Sequence, residues 1–445
     1  MFTPEDFGVL GTYSSIVAVL SILATLRFEV SLPIEMKKEF AVNLVALSII
    51  IMMIILLLYS SFIVLFTNTL LVWFEKSKIE KILFFIPVGV FLGGLHQLFY
   101  NWLIRGKEFG YIAKSKYSKS IIGASTQLIS GLYHYSYLGL IMGQILGVLS
   151  SVIVLIMHSW VEIKALITFI SIDGIKSAGK KHWRFPIFLS FSSFIRTLSG
   201  RMPLILIASF FGIESAGYYA LSTRLIQTPM NIFGQSLLQV FYSRVSDAFK
   251  NNILNIETKN LFRFLTNVGL PILTIIAYTS PNVIALIFGE VWRASGEYIQ
   301  IFSPWYSIVF ITAPITVILN IMNKQHYQLI FQIFLLFGTI AGLTTGYILN
   351  DLKYGLVWLS IISTVIWFLY MLQIIKISRN GVGESILYII KTIIRSFIFI
   401  LPIILVDVTH NFLNAQIYIP IYFISICLSS VIISIWLIKV FRELR

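Results

Sequence analysis

Thirteen apolar runs, separated by short and mostly basic stretches, occupy almost the whole chain. They cover residues 7–26, 43–66, 82–104, 120–133, 137–157, 186–210, 216–242, 264–287, 299–322, 327–349, 355–375, 392–409 and 417–437. The hydrocarbon core of a bilayer takes about 20 apolar residues in a helix. Only a helix satisfies every backbone N–H and C=O inside such a run. The pattern therefore predicts an all-α integral membrane protein, and a function carried out in or across a bilayer.

Composition agrees. Of 445 residues, 58% are hydrophobic and 12% charged, with a mean hydropathy of +0.89. The longest stretch between spans, His158 to Phe185, is too short for a soluble domain. The one cysteine, Cys427, lies in the last run, which excludes a disulfide framework and leaves a packing residue. Met1–Asp6 is acidic and leads straight into a full-length span, unlike a cleavable signal peptide.

The net charge of +14 is distributed by topology. Alternate connections, with the C-terminal tail, carry 24 Lys and Arg; the other set carries 5. The positive-inside rule places the first set, and so the C-terminus, in the cytoplasm. That distribution argues against a nucleic-acid partner.

With this orientation the first span runs inward and leaves Met1 outside. The chain also echoes itself. Glu5-Asp6-Phe7-Gly8 resembles Glu214-Ser215-Ala216-Gly217, Asn101-Trp102-Leu103-Ile104 resembles Asn320-Ile321-Met322-Asn323, and Tyr137-Leu138-Gly139-Leu140 resembles Tyr354-Gly355-Leu356-Val357. The common spacing predicts two related six-helix halves, as in many transporters. The run 186–210 precedes the seventh span, and its counterpart would precede Met1, so a first helix is expected to be missing.

Soluble-enzyme motifs fail. Gly174 to Lys181 nearly spells a phosphate-binding loop but lacks the Ser/Thr after its lysine and follows no strand. The six histidines show no metal-ligand spacing and read as interface or packed polar groups. No large external loop carries a catalytic set, so the chain is expected not to be an enzyme.

Charges inside the spans are the chemistry that remains: Arg196, Arg201, Arg224, Arg395 and Asp407. A charge at the bilayer centre costs about 2.5–3.5 kcal/mol on insertion scales. Arg196 falls mid-span and Arg224 lies about 12 Å from its helix end, so both are expected to face protein or a wet cavity. A guanidinium pairs bidentately with phosphate oxygens. Pairing with a carboxylate is the bland alternative, though acidic residues within spans are nearly absent. Arg395 reads as part of the cytoplasmic rim, and Asp407, about 18 Å along the same run, cannot pair with it. Gln227, Asn231, Gln235 and Gln239 follow Arg224 at helical spacing on one face. That stripe is either interhelical hydrogen bonding or a sugar-binding surface. Gly139, Gly143 and Gly147 form a repeated small-residue motif that lets helices approach.

Several stretches then resemble a known family. They are Thr25-Leu26-Arg27-Phe28-Glu29 with Leu32-Pro33, and Trp102-Leu103-Ile104-Arg105 with Phe109. Pro203 through Phe211-Gly212, Gly217-Tyr218-Tyr219-Ala220-Leu221, Pro229 and Gly234-Gln235-Ser236 continue the match, as do Phe288-Gly289-Glu290, Trp292 and Pro304-Trp305-Tyr306. The chain resembles Wzx-type polysaccharide (O-antigen or capsule) repeat-unit flippases of the multidrug/oligosaccharidyl-lipid/polysaccharide exporter superfamily. The resemblance implies a MATE-like fold of two six-helix lobes plus two C-terminal helices. Here these would be an N-lobe over 1–160 lacking its first helix, a linker over 161–185, a C-lobe over 186–378, and extra helices over 379–445. It implies a bacterial inner-membrane location and a substrate of undecaprenyl-diphosphate-linked oligosaccharide. Arg196, Arg201 and Arg224 with the amide stripe would line the cavity, and Arg27 and Glu29 the cytoplasmic mouth. A polysaccharide polymerase and a chain-length regulator would be partners. No cofactor is implied, beyond a coupling H+ or Na+. A drug or cation antiporter of the MATE type is the alternative, and a membrane-embedded polymerase or glycosyltransferase a more distant one.

Overall fold

The computed structural model describes residues 2–73, 82–251, 253–408 and 415–443, with side chains over most of 233–250 outside the description. Each expected span lies on a helix, and the described residues hold no strand. Nine of the described helices are long and apolar enough to cross a bilayer. The number is ten if Val382–Phe399 and Leu401–Val408, bent by 43°, form one broken span. Packing divides the chain into two compact units, Met1–Ala220 and Leu221–Arg445.

The first unit holds α1 (Pro4–Leu23), α2 (Lys38–Trp73), α3 (Phe85–Arg105), α4 (Phe109–Leu132), α5 (Ser136–Leu166), the short α6 (Ile172–Lys181), α7 (Ser190–Phe211) and the start of α8 (Ile213–Lys250). A capping box starts α1: Asp6 N–H donates to Thr3 Oγ1 at 3.2 Å and Thr3 N–H to Asp6 Oδ2 at 2.9 Å, with Pro4 in the first turn. The helix ends where Leu26 and Arg27 turn left-handed (φ 47° and 60°), leading into a 3-10 turn, Phe28–Ile34. Gly212, at φ 86°, makes the corner between α7 and α8.

The starts of α1 and α8, which echo each other in sequence, touch reciprocally. A Cβ on Gly8 would lie 1.8 Å from the Ile213 carbonyl oxygen, and one on Gly217 would lie 1.7 Å from that of Pro4. Shifting Pro4 and Gly8 by the same 209 residues gives Ile213 and Gly217, so one contact is the image of the other. That is how two related segments meet across a local two-fold axis.

The glycine repeat works as expected, since Cβ atoms on Gly143 and Gly147 would lie 2.9 and 2.8 Å from the Gly123 and Lys119 carbonyl oxygens of α4. The weak run 120–133 proves to be the end of a 24-residue helix. The near phosphate loop is helix α6, seated on α2 by Asn43, whose amide donates to Phe169 O at 2.9 Å and accepts from Ser171 N–H at 3.1 Å.

The second unit continues α8 and adds α9 (Leu254–Phe288), α10 (Arg293–Ile315), α11 (Val317–Ile321), α12 (His326–Ile348), α13 (Leu352–Ile377), α14 (Val382–Phe399), α15 (Leu401–Val408) and α16 (Ala415–Glu443). Leu261, Leu265, Ile311, Ile318, Met371 and Ile374 are its inaccessible centre. Ser360 Oγ donates to Ile301 O at 2.5 Å and stitches α13 to α10. On α9, Asn267 donates to Tyr388 Oη at 2.6 Å, while Tyr278 Oη donates to Asp407 at 2.9 Å. Cys427, expected as a packing residue, is instead exposed on α16.

Gly8→Ala and Gly217→Ala each push a methyl into backbone that cannot rotate away. Each is expected to lower stability by about 1–3 kcal/mol or more. Gly200→Ala on α7, where a Cβ meets nothing within 4 Å, should be neutral or stabilising by about 0.4–1 kcal/mol. Thermal unfolding of the three purified variants in one detergent checks the contrast.

Candidate functional site

The left-handed turn after α1 delivers Arg27 into a pocket of partners from three elements. Its guanidinium donates to Gln97 Oε1 on α3 at 2.9 Å, to Glu29 Oε1 at 3.3 Å and to Ser193 Oγ on α7 at 3.4 Å. Its Nε is buried without a hydrogen-bond partner. Glu29 is wholly inaccessible and also accepts from the Thr25 hydroxyl. The expected mouth residue is thus enclosed in a node rather than lining an opening. Burial pushes the Glu29 carboxyl above its ordinary range; the Thr25 hydroxyl, the Arg27 charge and a backbone N–H pull the other way without cancelling it.

A second acidic anchor holds the connection ahead of α7. Glu35 takes Lys181 and His182 as partners, the latter at 3.2 Å, and the Glu35 carbonyl accepts from Arg105 Nε at 2.9 Å. Burial raises the Glu35 carboxyl, but hydrogen bonds from Lys181, His182 and the Lys37 N–H outweigh it, and the net shift is downward.

The arginines singled out in the spans behave differently. Arg196 and Arg201 on α7, and Arg224 on α8, are exposed, and none has an ion pair or side-chain hydrogen bond among the described residues. The described ion pairs lie elsewhere, at Lys38–Glu162, Lys259–Glu384 and Arg293–Glu290 among others. Arg196 sits one turn beyond Ser193, so it rises on the flank of α7 that meets Arg27. Arg201, five residues further, is rotated about 140° away.

Arg224, Gln227 and Asn231 share a face of α8 at spacings of three and four, and all three are exposed. Gln227 donates to Tyr306 Oη of α10 at 2.8 Å, and Tyr306 is only 3% accessible. The side chains of Gln235 and Gln239 lie outside the described residues. The structure therefore gathers Arg27, Glu29 and Arg196 in the first unit, and Arg224, Gln227 and Asn231 in the second. Sequence reasoning gave no site role to Gln97, Ser193 or Tyr306. Gln97 carried a signal, since a polar residue inside an apolar run needs a partner, and Tyr306 lay in a stretch that resembles the family; Ser193 carried none.

A family model described as polysaccharide biosynthesis protein matches residues 1–297. The teichuronic acid biosynthesis protein TuaB of Bacillus subtilis (strain 168) is 24% identical over 224 residues, covering 47% of this chain and 44% of that protein. The chain thus matches less than half the length of this curated relative. The solved lipid II flippase MurJ, in an inward closed conformation, superposes with a TM-score of 0.71 at 16% identity, covering 98% of this chain and 94% of that one. An inward-facing multidrug resistance MATE family transporter of the MOP superfamily gives 0.64 at 12%, covering 85% and 92%. At these identities the likeness speaks for the fold, which is MATE-like as expected.

Removing Arg27 strands the Glu29 carboxylate without its cation. Arg27→Ala is expected to cost about 3–5 kcal/mol at neutral pH. A carboxyl raised in the folded state weakens folding as pH climbs from its ordinary value through its raised one, so the loss should shrink as pH falls. The double variant Arg27→Ala/Glu29→Gln should recover most of the loss at neutral pH. Unfolding curves across the carboxylate range check both outcomes.

Proposed function

We propose that this chain, which belongs to the polysaccharide biosynthesis protein family, moves an oligosaccharide carried on undecaprenyl diphosphate from the cytoplasmic to the outer leaflet of the bacterial plasma membrane. The observation that carries this reading is the set of three arginines, Arg196, Arg201 and Arg224, on membrane helices with no carboxylate partner among the described residues. Fixed positive charge in an apolar setting is expensive unless water or an anion reaches it. A diphosphate and a hydrophilic saccharide face the mirror problem, because neither crosses hydrocarbon unaided. Each removes the other's penalty. Guanidinium forks suit phosphate oxygens, and the amides of Gln227 and Asn231 suit sugar hydroxyls.

In this reading the chain needs no catalytic group. The polyprenyl tail stays in lipid while the polar head passes through the protein, with the site open to each side of the membrane in turn. The transported unit would feed a surface polysaccharide, whether O-antigen, capsule or a wall polymer of the teichuronic kind. A polymerase and a chain-length regulator would then act after it. The basic connections would face the cytoplasm, as would the C-terminus.

An antiporter of the MATE type would be expected to use a free membrane carboxylate. Glu29 is closed by Arg27 and Thr25, and Asp407 accepts from Tyr278, which favours the flippase reading.

Arg224→Ala in a complemented deletion strain is expected to lower surface polysaccharide about tenfold or more, the effect of losing one desolvated charge pair. Arg224→Lys should keep part of the activity, since charge survives and the fork does not. Lipid-linked repeat units should accumulate on the inner leaflet of the Ala strain. Full activity in both Arg196→Ala and Arg224→Ala would remove the arginines from the pathway, and drug efflux that collapses with the proton gradient would favour the antiporter.

A further inference from the structure

The first unit holds a second group of nitrogen side chains that a diphosphate alone does not explain. His96 on α3 stacks on Tyr100 at 5.8 Å between ring centroids, and the Lys116 ammonium of α4 lies 5.7 Å from the centroid of the same ring. Lys119 lies one turn further along α4. Helices α3 and α4 run antiparallel across a three-residue connection, Gly106 to Glu108. His96 is nine residues before Arg105, the last of α3, and Lys119 is ten residues after Phe109, the first of α4. At 1.5 Å per residue both lie about 14–15 Å from the same end of the pair, and so at one level along it.

Lys119 does not start from a lipid-facing stripe. Gly123, four residues on and therefore on the same face, is buried against α5, and the Lys119 carbonyl itself packs on Gly147. The Lys119 side chain is nonetheless exposed. None of the three groups has a carboxylate partner among the described residues. Among the described residues, the acids nearest to α4 in sequence are engaged elsewhere: Glu108 lies 3.7 Å from His158, and Glu162 is paired with Lys38 at 2.9 Å. The two ammonium groups have no counter-charge among the described residues.

The group is also separate from the arginine site of the same unit. Gln97, which accepts from Arg27, follows His96 by one residue and so points about 100° round α3. Arg27 and Arg196 lie off one flank of α3 and His96, Lys116 and Lys119 off another. One diphosphate cannot occupy both. A substrate with anions at two places can.

We propose that His96, Lys116 and Lys119 form a second anion subsite that takes a carboxylate on the saccharide, so that the transported unit is an acidic oligosaccharide of the uronic-acid kind. The chemistry suits this assignment. Two ammonium groups and an imidazole are single-point donors that can each meet one carboxylate oxygen, whereas the paired oxygens of a diphosphate are better matched by guanidinium forks. This inference rests on the lipid-linked saccharide reading above and adds the class of sugar.

The test uses the full chain in phosphatidylcholine nanodiscs and two synthetic polyprenyl-diphosphate disaccharides that differ only in ending with glucuronate or glucose. Wild type is expected to bind the glucuronate lipid about tenfold more tightly, the worth of one well-placed ion pair. Lys119→Gln and His96→Gln should each cut that preference about threefold or more while leaving affinity for the glucose lipid unchanged. Lys119→Arg should keep the preference, which separates lost charge from lost packing. Equal binding of both lipids by wild type overturns the subsite and leaves the flippase reading standing, as does an equal weakening of both by Lys119→Gln. A preference unchanged in both variants overturns it too. Loss of the preference when phosphatidylglycerol is added assigns the cations to a headgroup phosphate and overturns it. Binding of neither lipid overturns the substrate reading itself, and the subsite with it.

Discussion

A bilayer does not tolerate a fixed positive charge left to itself, and arginines in and beside the spans of this chain meet that constraint in two opposite ways. Arg27 is closed inside the protein by Glu29, Gln97 and Ser193. Its charge is consumed by the fold, and a buried pair of this sort contributes more to specifying one arrangement than to net stability. Arg196 and Arg201 in the first unit and Arg224 in the second are left exposed. At about 2.5–3.5 kcal/mol for each such group in hydrocarbon, three open guanidiniums amount to a penalty comparable with the whole stability of a domain. Water in a cleft, or a transported anion, has to remove it.

The same constraint explains which helices are least apolar. Helices α3, α4 and α8 fall outside the set that passes as spans on apolarity and length. They carry His96 and Gln97, Lys116 and Lys119, and Arg224 with Gln227 and Asn231. Polarity that lowers the hydropathy of a span has been concentrated where a polar ligand is proposed to pass. The more apolar helices, such as α2 and α12, carry no charged side chain in the middle of their length.

Much of this was legible in order along the chain. Apolar runs place the spans because backbone hydrogen bonding in lipid leaves helices as the economical solution. The echo between Glu5–Gly8 and Glu214–Gly217 is matched by a reciprocal contact, with the two glycines accepting each other's neighbouring carbonyls at distances no side chain would permit. Gly143 and Gly147 also did what their spacing implied. What the sequence hid were pairings between distant positions. Three lysines in the first half of α4 masked a 24-residue helix as a short weak run. The partnership of Arg27 with Ser193, 166 residues away, leaves no periodic trace, and neither does that of Gln227 with Tyr306. Glu29 read as a mouth residue because the stretch Thr25 to Glu29 resembles the family there. Its enclosure depends on Thr25, one turn earlier, facing the same way.

The two ends at which α1 meets its neighbours are held by contacts of different kinds. At its start, Gly8 and Gly217 bring backbone against backbone, and no rotamer change can relieve or restore such a contact gradually. At its finish, the link to α7 includes a single hydroxyl, Ser193, at 3.4 Å, the longest of the three bonds that Arg27 makes. The bond from Arg27 to Gln97 on α3, at 2.9 Å, is the tighter. The Arg27 end joins α7 to α1 through that hydrogen bond on top of side-chain packing along the two helices, as where Leu204 meets Gly11, whereas the glycine end joins α1 to α8 through backbone against backbone. Arg196, one turn beyond Ser193, travels with whatever α7 does. A cation with no ion pair among the described residues thus sits on α7, while Arg27 is engaged with Glu29, Gln97 and Ser193. That division is the one a carrier needs, because a charge that must bind and release an anion cannot also be part of the structure's permanent bonding.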